Sequence, residues 1–246
     1  MKDQFIRTAL LFSEEKIENL SKKRVAVFGI GGVGGHAAEA IARSGVGAID
    51  LIDGDTISES NINRQAIAFH STVGQYKTDV MAKRILDINP DCKVSCRNEF
   101  FSLENINTFD FSKYDYIIDA IDSVSSKVEL ICKAKAEGVA IISSMGAGNK
   151  LDPTAFMVAD IYKTDVCPLA KVMRSHLRKR GIKKLKTVFS KEIPLVPNST
   201  VSLSDYDKNQ NRSIPGSVSF VPSVAGLIIA GEVIKDLIGD INAQNT

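Results

Sequence analysis

The stretch "VAVFGIGGVGGHAAEAIARSGVGAIDLIDGD", residues 25–55, decides the fold. An apolar run leads into a glycine-rich turn, a helix-like segment follows, and a second apolar run ends in acidic residues. The turn "GIGGVG" fits the G-x-G-x-x-G pattern, which cradles phosphate when it joins a strand to a helix. Glycines let the backbone approach the phosphate, and the helix N-terminus supplies N–H donors. We therefore expect a nucleotide site whose loop glycines are Gly29, Gly31, Gly32 and Gly34.

The alternation of apolar and amphipathic segments continues to about residue 150. Near-continuous apolar runs such as "YDYIIDAID" and "VAIISSMG" are typical of parallel strands that are buried on both faces. Amphipathic stretches such as "YKTDVMAKRILDIN" lie between them and predict covering helices. The sequence thus predicts an α/β fold, a Rossmann-like and mostly parallel sheet with helices on both faces. The C-terminal segment "PSVAGLIIAGEVIKDLIG" is expected to pack on this sheet as a helix.

The composition, 44% hydrophobic and 24% charged, is that of an ordinary globular protein. The four cysteines form no CxxC pair and the three histidines are scattered, so the sequence does not predict a zinc site. The N-terminus lacks the apolar core of a signal peptide. Pro222, Glu232 and Lys235 interrupt the C-terminal apolar segment, which stays short of the about 20 apolar residues that a membrane span needs. We expect a cytoplasmic protein without a membrane span.

Polar residues follow the second apolar run. Asp53 ends that run 19 residues after Gly34, where an acid binds a ribose hydroxyl in nucleotide-binding folds. The glycine turn and Asp53 leave NAD and other nucleotides open. Arg64 and Lys77 come next, and cations beside a phosphate loop suit a triphosphate that loses pyrophosphate, because they neutralise charge on the leaving group. A hydride-transfer site needs no such cluster.

The segment "DAIDS" places Asp119 and Asp122 at the carboxyl end of a predicted strand. Ligands of open α/β sheets bind at this end. A carboxylate there can hold Mg²⁺ between phosphates, so Asp122 is a predicted metal ligand.

In their order and spacing, "GIGGVG", "LIDGD", "NINRQ", "VGQYK", "INP" and "DAIDS" resemble the adenylating enzymes related to ubiquitin activation, which include the bacterial molybdopterin and thiamine adenylyltransferases. The resemblance implies that Asp53 binds the ATP ribose, that Arg64 and Lys77 bind its phosphates, and that Asp122 holds Mg²⁺. It also implies that three further residues help to form the ATP site, namely Asp55, Asn61 and Gln65.

The same resemblance implies a homodimer. In these enzymes an N-terminal arginine often reaches the phosphates bound by the partner subunit, and Arg7 in "FIRTALL" is the matching residue. The large apolar C-terminal helix also favours a dimer, because such a surface is rarely left bare.

The branch of the family is indicated by three later segments, "SSMGAGNKLDPT", "CPLAKVMRSHLRKRGI" and "PGSVSFVPSVAGLIIAGEVIKDLI". They resemble the branch that dehydrates threonylcarbamoyladenosine in tRNA. This resemblance implies an ATP-dependent enzyme that adenylates the carboxylate of the nucleoside. The nucleoside would then close to its cyclic form, with release of AMP and pyrophosphate. The alternatives are an adenylyltransferase that activates the C-terminus of a ubiquitin-like sulfur carrier, an NAD-dependent oxidoreductase and a non-catalytic adaptor. Cooperation with a cysteine desulfurase and its sulfur acceptor is left open.

The positive charge of the chain is concentrated in residues 171–186, which hold eight lysines and arginines and no acid. The rest of the chain carries 23 basic and 29 acidic residues. A basic patch of this kind fits the phosphate backbone of tRNA. The predicted tRNA-binding residues are Lys171, Arg174, Arg178, Lys179, Arg180, Lys183 and Lys184.

We therefore expect one ThiF-type adenylating domain over residues 1–246. Residues 20–150 would form the ATP-binding core, and residues 151–246 would bind substrate and tRNA and support dimerisation. The polar stretch without periodicity at about 197–214 is predicted to be a mobile loop.

Overall fold

A computed structural model describes residues 2–198 and 215–239. Within these residues seven strands form one sheet in the order β3-β2-β1-β4-β5-β7-β6. All neighbours pair in parallel except β6, which is antiparallel to β7. The strands are β1 (Arg24–Phe28), β2 (Ala48–Ile52), β3 (Lys93–Arg97), β4 (Tyr116–Asp119), β5 (Ala140–Ser144), β6 (Phe156–Asp160) and β7 (Lys186–Ser190). The predicted mostly parallel α/β sheet is confirmed.

Seven α-helices in the described residues surround this sheet. They are α1 (Ile6–Phe12), α2 (Glu14–Leu20), α3 (Gly34–Arg43), α4 (Lys77–Ile88), α5 (Val124–Ala136), α6 (Pro168–Lys179) and α7 (Phe220–Ile238). The sequence predicts α3 to α7, with α5 in "VSSKVELICKAKAEG" and α6 in "PLAKVMRSHLRKRG", but misses α1, α2 and β6. Strand β6 is missed because its sequence "FMVAD" is short and only Phe156 in it is buried, as suits an edge strand with one covered face.

Two apolar cores lie on opposite faces of the sheet. Successive side chains of a strand point to opposite faces, so Val25 and Val27 of β1 join one core while Ala26 and Phe28 join the other. The first core is covered by α3, α4 and α7, and the second by α5 and α6. Helices on both faces, as predicted, leave the ends of the strands as the exposed rims of the sheet.

Helix α7 packs on α3 within the same chain. A Cβ atom added at Gly226 would lie 2.3 Å from the Val33 carbonyl oxygen, which shows how closely the two helices approach. Ile229 and Val233 of α7 are buried in the first core. The apolar surface of α7 is therefore covered largely by its own chain. This helix consequently gives little reason to expect a dimer.

Two further expectations concern segments rather than the sheet. The predicted mobile loop at 197–214 lies outside the described residues, apart from 197 and 198. Among the helices that the structure describes, none combines the length and the apolar character needed to cross a membrane.

Candidate active site

A cleft of about 730 Å³ opens at the carboxyl ends of β1, β2 and β4. This is where open parallel sheets bind their ligands, because loops diverge there on either side of the sheet. The structure brings ten of the predicted residues to its walls. They are Gly29, Gly31, Gly32, Asp53, Asp55, Asn61, Arg64, Gln65, Lys77 and Asp122.

The glycine turn forms one wall, and two of its glycines are required by close approach. Gly29 has a φ of +88°, and a Cβ there would lie 2.6 Å from the Ala120 carbonyl oxygen. A Cβ at Gly34 would lie 1.8 Å from the Gly29 oxygen. Gly34 does not line the cleft; it lets α3 begin directly behind the turn, which brings the N-terminus of that helix to the cleft.

Asp53 is buried at the end of β2 and holds the turn in place. Its Oδ2 accepts a hydrogen bond from the N–H of Ile30 at 2.6 Å, and its Oδ1 accepts one from the N–H of Asp55 at 2.8 Å. Burial raises the pKa of Asp53, while the positive charge of Lys77 and these two N–H groups oppose the rise. Each carboxylate oxygen keeps acceptor capacity for a ribose hydroxyl.

Lys77, the first residue of α4, is a buried cation beside Asp53. Its Nζ lies 2.7 Å from Oδ2 of Asp55, and its side chain is 7% exposed while that of Asp55 is 52% exposed. An ammonium group has three donors, so Lys77 can bind a phosphate oxygen while it keeps this ion pair.

The loop after β2 supplies the remaining polar groups. Nη1 of Arg64 donates to the Ser60 carbonyl at 2.8 Å, which holds the guanidinium over the cleft wall. Asn61 is buried, and its Oδ1 accepts from the N–H of Ser58 at 3.1 Å, so it shapes the loop. Gln65 is 7% exposed, and its Oε1 has no hydrogen-bond partner in residues 2–198 and 215–239. A buried acceptor of this kind suits a donor on a ligand.

The two carboxylates of "DAIDS" have different surroundings. Asp122 is exposed and lines the cleft. Asp119 is fully buried and lies 3.0 Å from Nζ of Lys127, and it also accepts from Oγ of Ser143 at 2.5 Å. Lys127 in turn donates to the Ile121 carbonyl at 3.0 Å. Sequence reasoning missed Lys127, since a lone lysine in an amphipathic helix is usually exposed.

Two further walls of the cleft were also missed. Phe28, Phe100 and Phe101 form an apolar part that suits a nucleobase, and the paired aromatics in "NEFFSL" were the available signal. On the other side, Asn149 accepts from the N–H of Gly216 at 2.6 Å, which holds residues 215–217 against the cleft. No sequence pattern indicates that long-range contact.

The cleft holds the hydrogen-bond donors and acceptors that a nucleoside triphosphate requires. Backbone N–H groups of the turn, Lys77 and Arg64 are suited to bind phosphate, and Asp53 is suited to bind ribose hydroxyls. The buried Oε1 of Gln65 can accept a hydrogen bond from a ligand. In the part of the chain that the structure describes, no group of three or more His, Cys, Asp or Glu side chains could hold a metal. A single carboxylate such as Asp122 matches the usual way in which Mg²⁺ is held, by one or two carboxylates together with substrate phosphates and water.

The other predicted residues do not line the cleft. Arg7 is exposed on α1. The basic segment forms α6 and the turn that follows. Two of its arginines bind within the chain, Arg174 to the Thr164 carbonyl at 2.9 Å and Arg180 to Glu129. The side chains of this segment that are exposed are Lys171, Arg178, Lys179, Arg180, Lys183 and Lys184.

Comparisons with known proteins agree with this geometry. The ThiF family profile matches residues 5–246. The tRNA threonylcarbamoyladenosine dehydratase of Bacillus subtilis is 47% identical over 249 residues, which cover 99% of this chain and 98% of the relative. The crystal structure of Escherichia coli tRNA N6-threonylcarbamoyladenosine dehydratase in complex with ATP has a TM-score of 0.85 at 34% identity and covers 96% of this chain and 93% of that one.

The sulfur-carrier branch is more distant. The adenylyltransferase and sulfurtransferase MOCS3 of Drosophila willistoni is 32% identical over 108 residues, which is 44% of this chain and 23% of that protein. Similarity along the whole length is thus found with the dehydratases, and similarity with this relative covers less than half of the chain. The chain belongs to the ThiF family, in the group that contains the tRNA threonylcarbamoyladenosine dehydratases.

Proposed function

We propose that this chain is an ATP-dependent dehydratase that acts on threonylcarbamoyladenosine in tRNA. The observation that carries the proposal is the convergence of Asp53, Lys77, Arg64 and Asp122 on one cleft behind a glycine turn. Adenylation needs cations beside the phosphate loop, and hydride transfer does not need them. The full-length similarity to dehydratases supports the choice of substrate.

In the first step, a carboxylate oxygen of the nucleoside attacks the α-phosphorus of ATP. The bond from this phosphorus to the bridging oxygen of pyrophosphate breaks, so pyrophosphate leaves and an acyl adenylate forms. Lys77 and Arg64 stabilise the charge that builds on the leaving group, and N–H groups of the turn bind phosphate oxygens. Asp53 orients the ribose through its free acceptor positions.

Magnesium would neutralise phosphate charge in this step, with Asp122 as its protein ligand. The exposed carboxylate of Asp122 lies on the same cleft as Lys77 and the glycine turn, which supports this assignment.

In the second step, a nitrogen or oxygen of the carbamoyl group attacks the acyl carbon, and AMP leaves with the electrons of the broken acyl–oxygen bond. The ring closes and one proton is released, so the nucleoside loses one water overall. The nucleophile belongs to the same side chain, so its effective concentration is high without a strong base. The reaction balances without a sulfur donor.

We assign tRNA binding to the exposed cations of α6 and its following turn. Lys171, Arg178, Lys179, Lys183 and Lys184 face outward and would contact phosphates. Arg174 and Arg180 also support the local fold, since each already binds a partner within the chain.

We also propose a homodimer that forms through α1. Leu10 and Leu11 on this helix are 81% and 74% exposed, and Arg7 lies on the same helix. Burying these leucines against a second copy would bring Arg7 to an interface, where it could reach the partner's phosphates. Light scattering tests this: a dimer at micromolar concentration is expected, and a monomer would also remove Arg7 from the site.

The function itself is tested with purified protein, ATP, Mg²⁺ and tRNA that carries threonylcarbamoyladenosine. Nucleosides are analysed by mass, and AMP is measured in parallel. We expect loss of one water from the nucleoside with a matching amount of AMP. An unchanged nucleoside, with active ATP–pyrophosphate exchange on a carrier protein, would instead favour the sulfur-carrier branch.

A further inference from the structure

A second cavity lies far from the cleft, at the end of α6. It has a volume of about 380 Å³ and is lined by Tyr162, Arg178, Gly181, Ile182 and Lys183. Gly181 has a φ of +72°, and a Cβ added there would meet no atom within 4 Å, so this side of the cavity is open.

Topology places this cavity at the opposite rim of the sheet from the cleft. Helix α6 starts beside Gly146, since Sγ of Cys167 lies 3.8 Å from where a Gly146 Cβ would be. Gly146 follows β5 and closely precedes Gly148 on the cleft wall. The 12 residues of α6 extend about 18 Å, and the chain then enters the amino end of β7. The cations of this segment thus run from the cleft toward the cavity.

The cavity combines an aromatic face with cations. Oη of Tyr162 donates to the Ile182 carbonyl, which fixes the ring. The guanidinium carbon of Arg178 lies 5.2 Å from the centroid of that ring. Lys183 is exposed and has no hydrogen bond or ion pair within residues 2–198 and 215–239.

The surroundings of the cavity are positive. Burial and the positive charge of Lys184 lower the pKa of Lys135, which places these two cations near each other. The nearby carboxylate of Asp160 accepts hydrogen bonds from the N–H groups of Tyr162 at 2.9 Å and Leu185 at 3.1 Å. This one carboxylate faces four cations, Arg178, Lys183, Lys184 and Lys135, so positive charge predominates around the cavity.

We propose that this cavity binds an unpaired nucleotide of the RNA, with its base against Tyr162 and Arg178 and its phosphate on Lys183. Unpaired bases stack on aromatic rings and guanidinium planes, and lysines bind the adjacent phosphates. The inference rests on the proposed function for the identity of the RNA. The distance from the cleft places the bound nucleotide several positions away from the one that reacts.

The test compares the variant Arg178→Ala/Lys183→Ala with wild type on two RNAs. One is full-length tRNA with the modified adenosine, and the other is a five-nucleotide RNA centred on it, too short to reach the cavity. Fluorescence anisotropy gives the tRNA affinity. We expect at least tenfold weaker tRNA binding, because the stacking contact of Arg178 and the phosphate contact of Lys183 are both lost, and a reduced salt dependence, because a phosphate contact is lost. On the short RNA, which does not reach the cavity, the same variant should lose much less affinity than on full-length tRNA.

Two controls separate the cavity from general effects. Lys22→Ala/Lys113→Ala removes the same charge from exposed ion pairs elsewhere and should bind tRNA almost normally. Tyr162→Phe keeps the ring and should retain affinity, whereas Tyr162→Leu should lose about tenfold. All variants are compared at a temperature where each is folded by circular dichroism.

Unchanged tRNA affinity in the cavity variants would overturn the proposal, and so would an equal fold-loss of affinity for the short RNA. The outcome is separable from that of the proposed function, because anisotropy needs no catalysis. A wild type that binds tRNA through this cavity but forms no AMP would refute the function and leave the cavity as an RNA site.

Discussion

Nζ of Lys127 lies 3.0 Å from Oδ2 of Asp119, and both side chains are fully buried. The same ammonium group binds the carbonyl of Ile121, and the N–H of Ile121 donates to Oδ1 of Asp119 at 3.2 Å. Asp122 follows directly. The buried pair therefore fixes the turn that carries Asp122 to the cleft.

Lys127→Met should lower the free energy of unfolding by about 3–5 kcal/mol, because it leaves the charge of Asp119 buried without a partner. Urea denaturation measures this. Lys113→Met breaks an exposed ion pair with Asp110 and should change the free energy of unfolding very little. The double variant Asp119→Asn/Lys127→Met should recover part of the loss, and a double variant as unstable as the single one would contradict the argument.

Asp122→Ala should abolish AMP formation while ATP still binds. The side chain is exposed, and no hydrogen bond to it occurs in the part of the chain that is described, so stability should change little. AMP release is followed by chromatography, and ATP affinity by calorimetry. Unchanged turnover would remove Asp122 from the site.

Lys77→Gln should reduce the rate of AMP formation by about 100-fold or more, since it removes a preorganised charge from the leaving group. Asp55→Asn is the matched variant, because it breaks the same 2.7 Å ion pair and keeps the cation. We expect Asp55→Asn to retain far more activity. Equal losses in steady-state kinetics would mean that the ion pair, and not the cation, is what matters.

Gly34→Ala and Gly31→Ala should fail in different ways. A Cβ at Gly34 would lie 1.8 Å from the Gly29 oxygen, so this variant should be unfolded or severely destabilised. A Cβ at Gly31 would meet only Nε2 of Gln65, at 4.0 Å, and would point into the cleft region. Gly31→Ala should therefore melt within a few degrees of wild type but bind ATP more weakly. A stable Gly34→Ala would contradict the packing argument.

The stability of the protein should fall below about pH 6.5, partly through His36. Burial lowers the pKa of His36, against a hydrogen bond to the Arg64 backbone and the charge of Glu39, which raise it. The unfolded chain then binds a proton at higher pH than the folded one, so acid favours unfolding. Between pH 8 and about pH 5.5, wild type should lose more stability than His36→Gln. Parallel pH profiles in thermal denaturation would exclude this contribution.

The sheet was predictable because its strands are short apolar runs whose ends carry the functional residues. Gly29, Asp53, Lys77 and Asp122 each adjoin the end of a strand or the start of a helix, so the order of the elements already brings them together. The outcome for the edge strand β6 was different, because its residues alternate weakly and its partner is nearly thirty residues later in the chain.

Ion pairs and hydrogen bonds between distant segments could not be predicted from the sequence, for a related reason. The spacing of Asp119 and Asp122 suggests two equivalent carboxylates, but one is neutralised by a lysine from α5. Arg174 and Arg180 look like free cations, but both bind within the chain. The partner of a charge depends on how distant segments meet, which local periodicity does not encode.

The bonds that Asp53 makes have an entropic consequence. Its two carboxylate oxygens accept hydrogen bonds from the backbone N–H groups of Ile30 and Asp55. Gly29 and Gly34 pack closely against each other in the same turn. Contacts within the chain therefore order the phosphate loop, and the same residue that would recognise the ribose maintains that order. A nucleotide entering such a preorganised loop loses little binding energy to the ordering of the chain. More of that energy is then left to align the α-phosphate for attack.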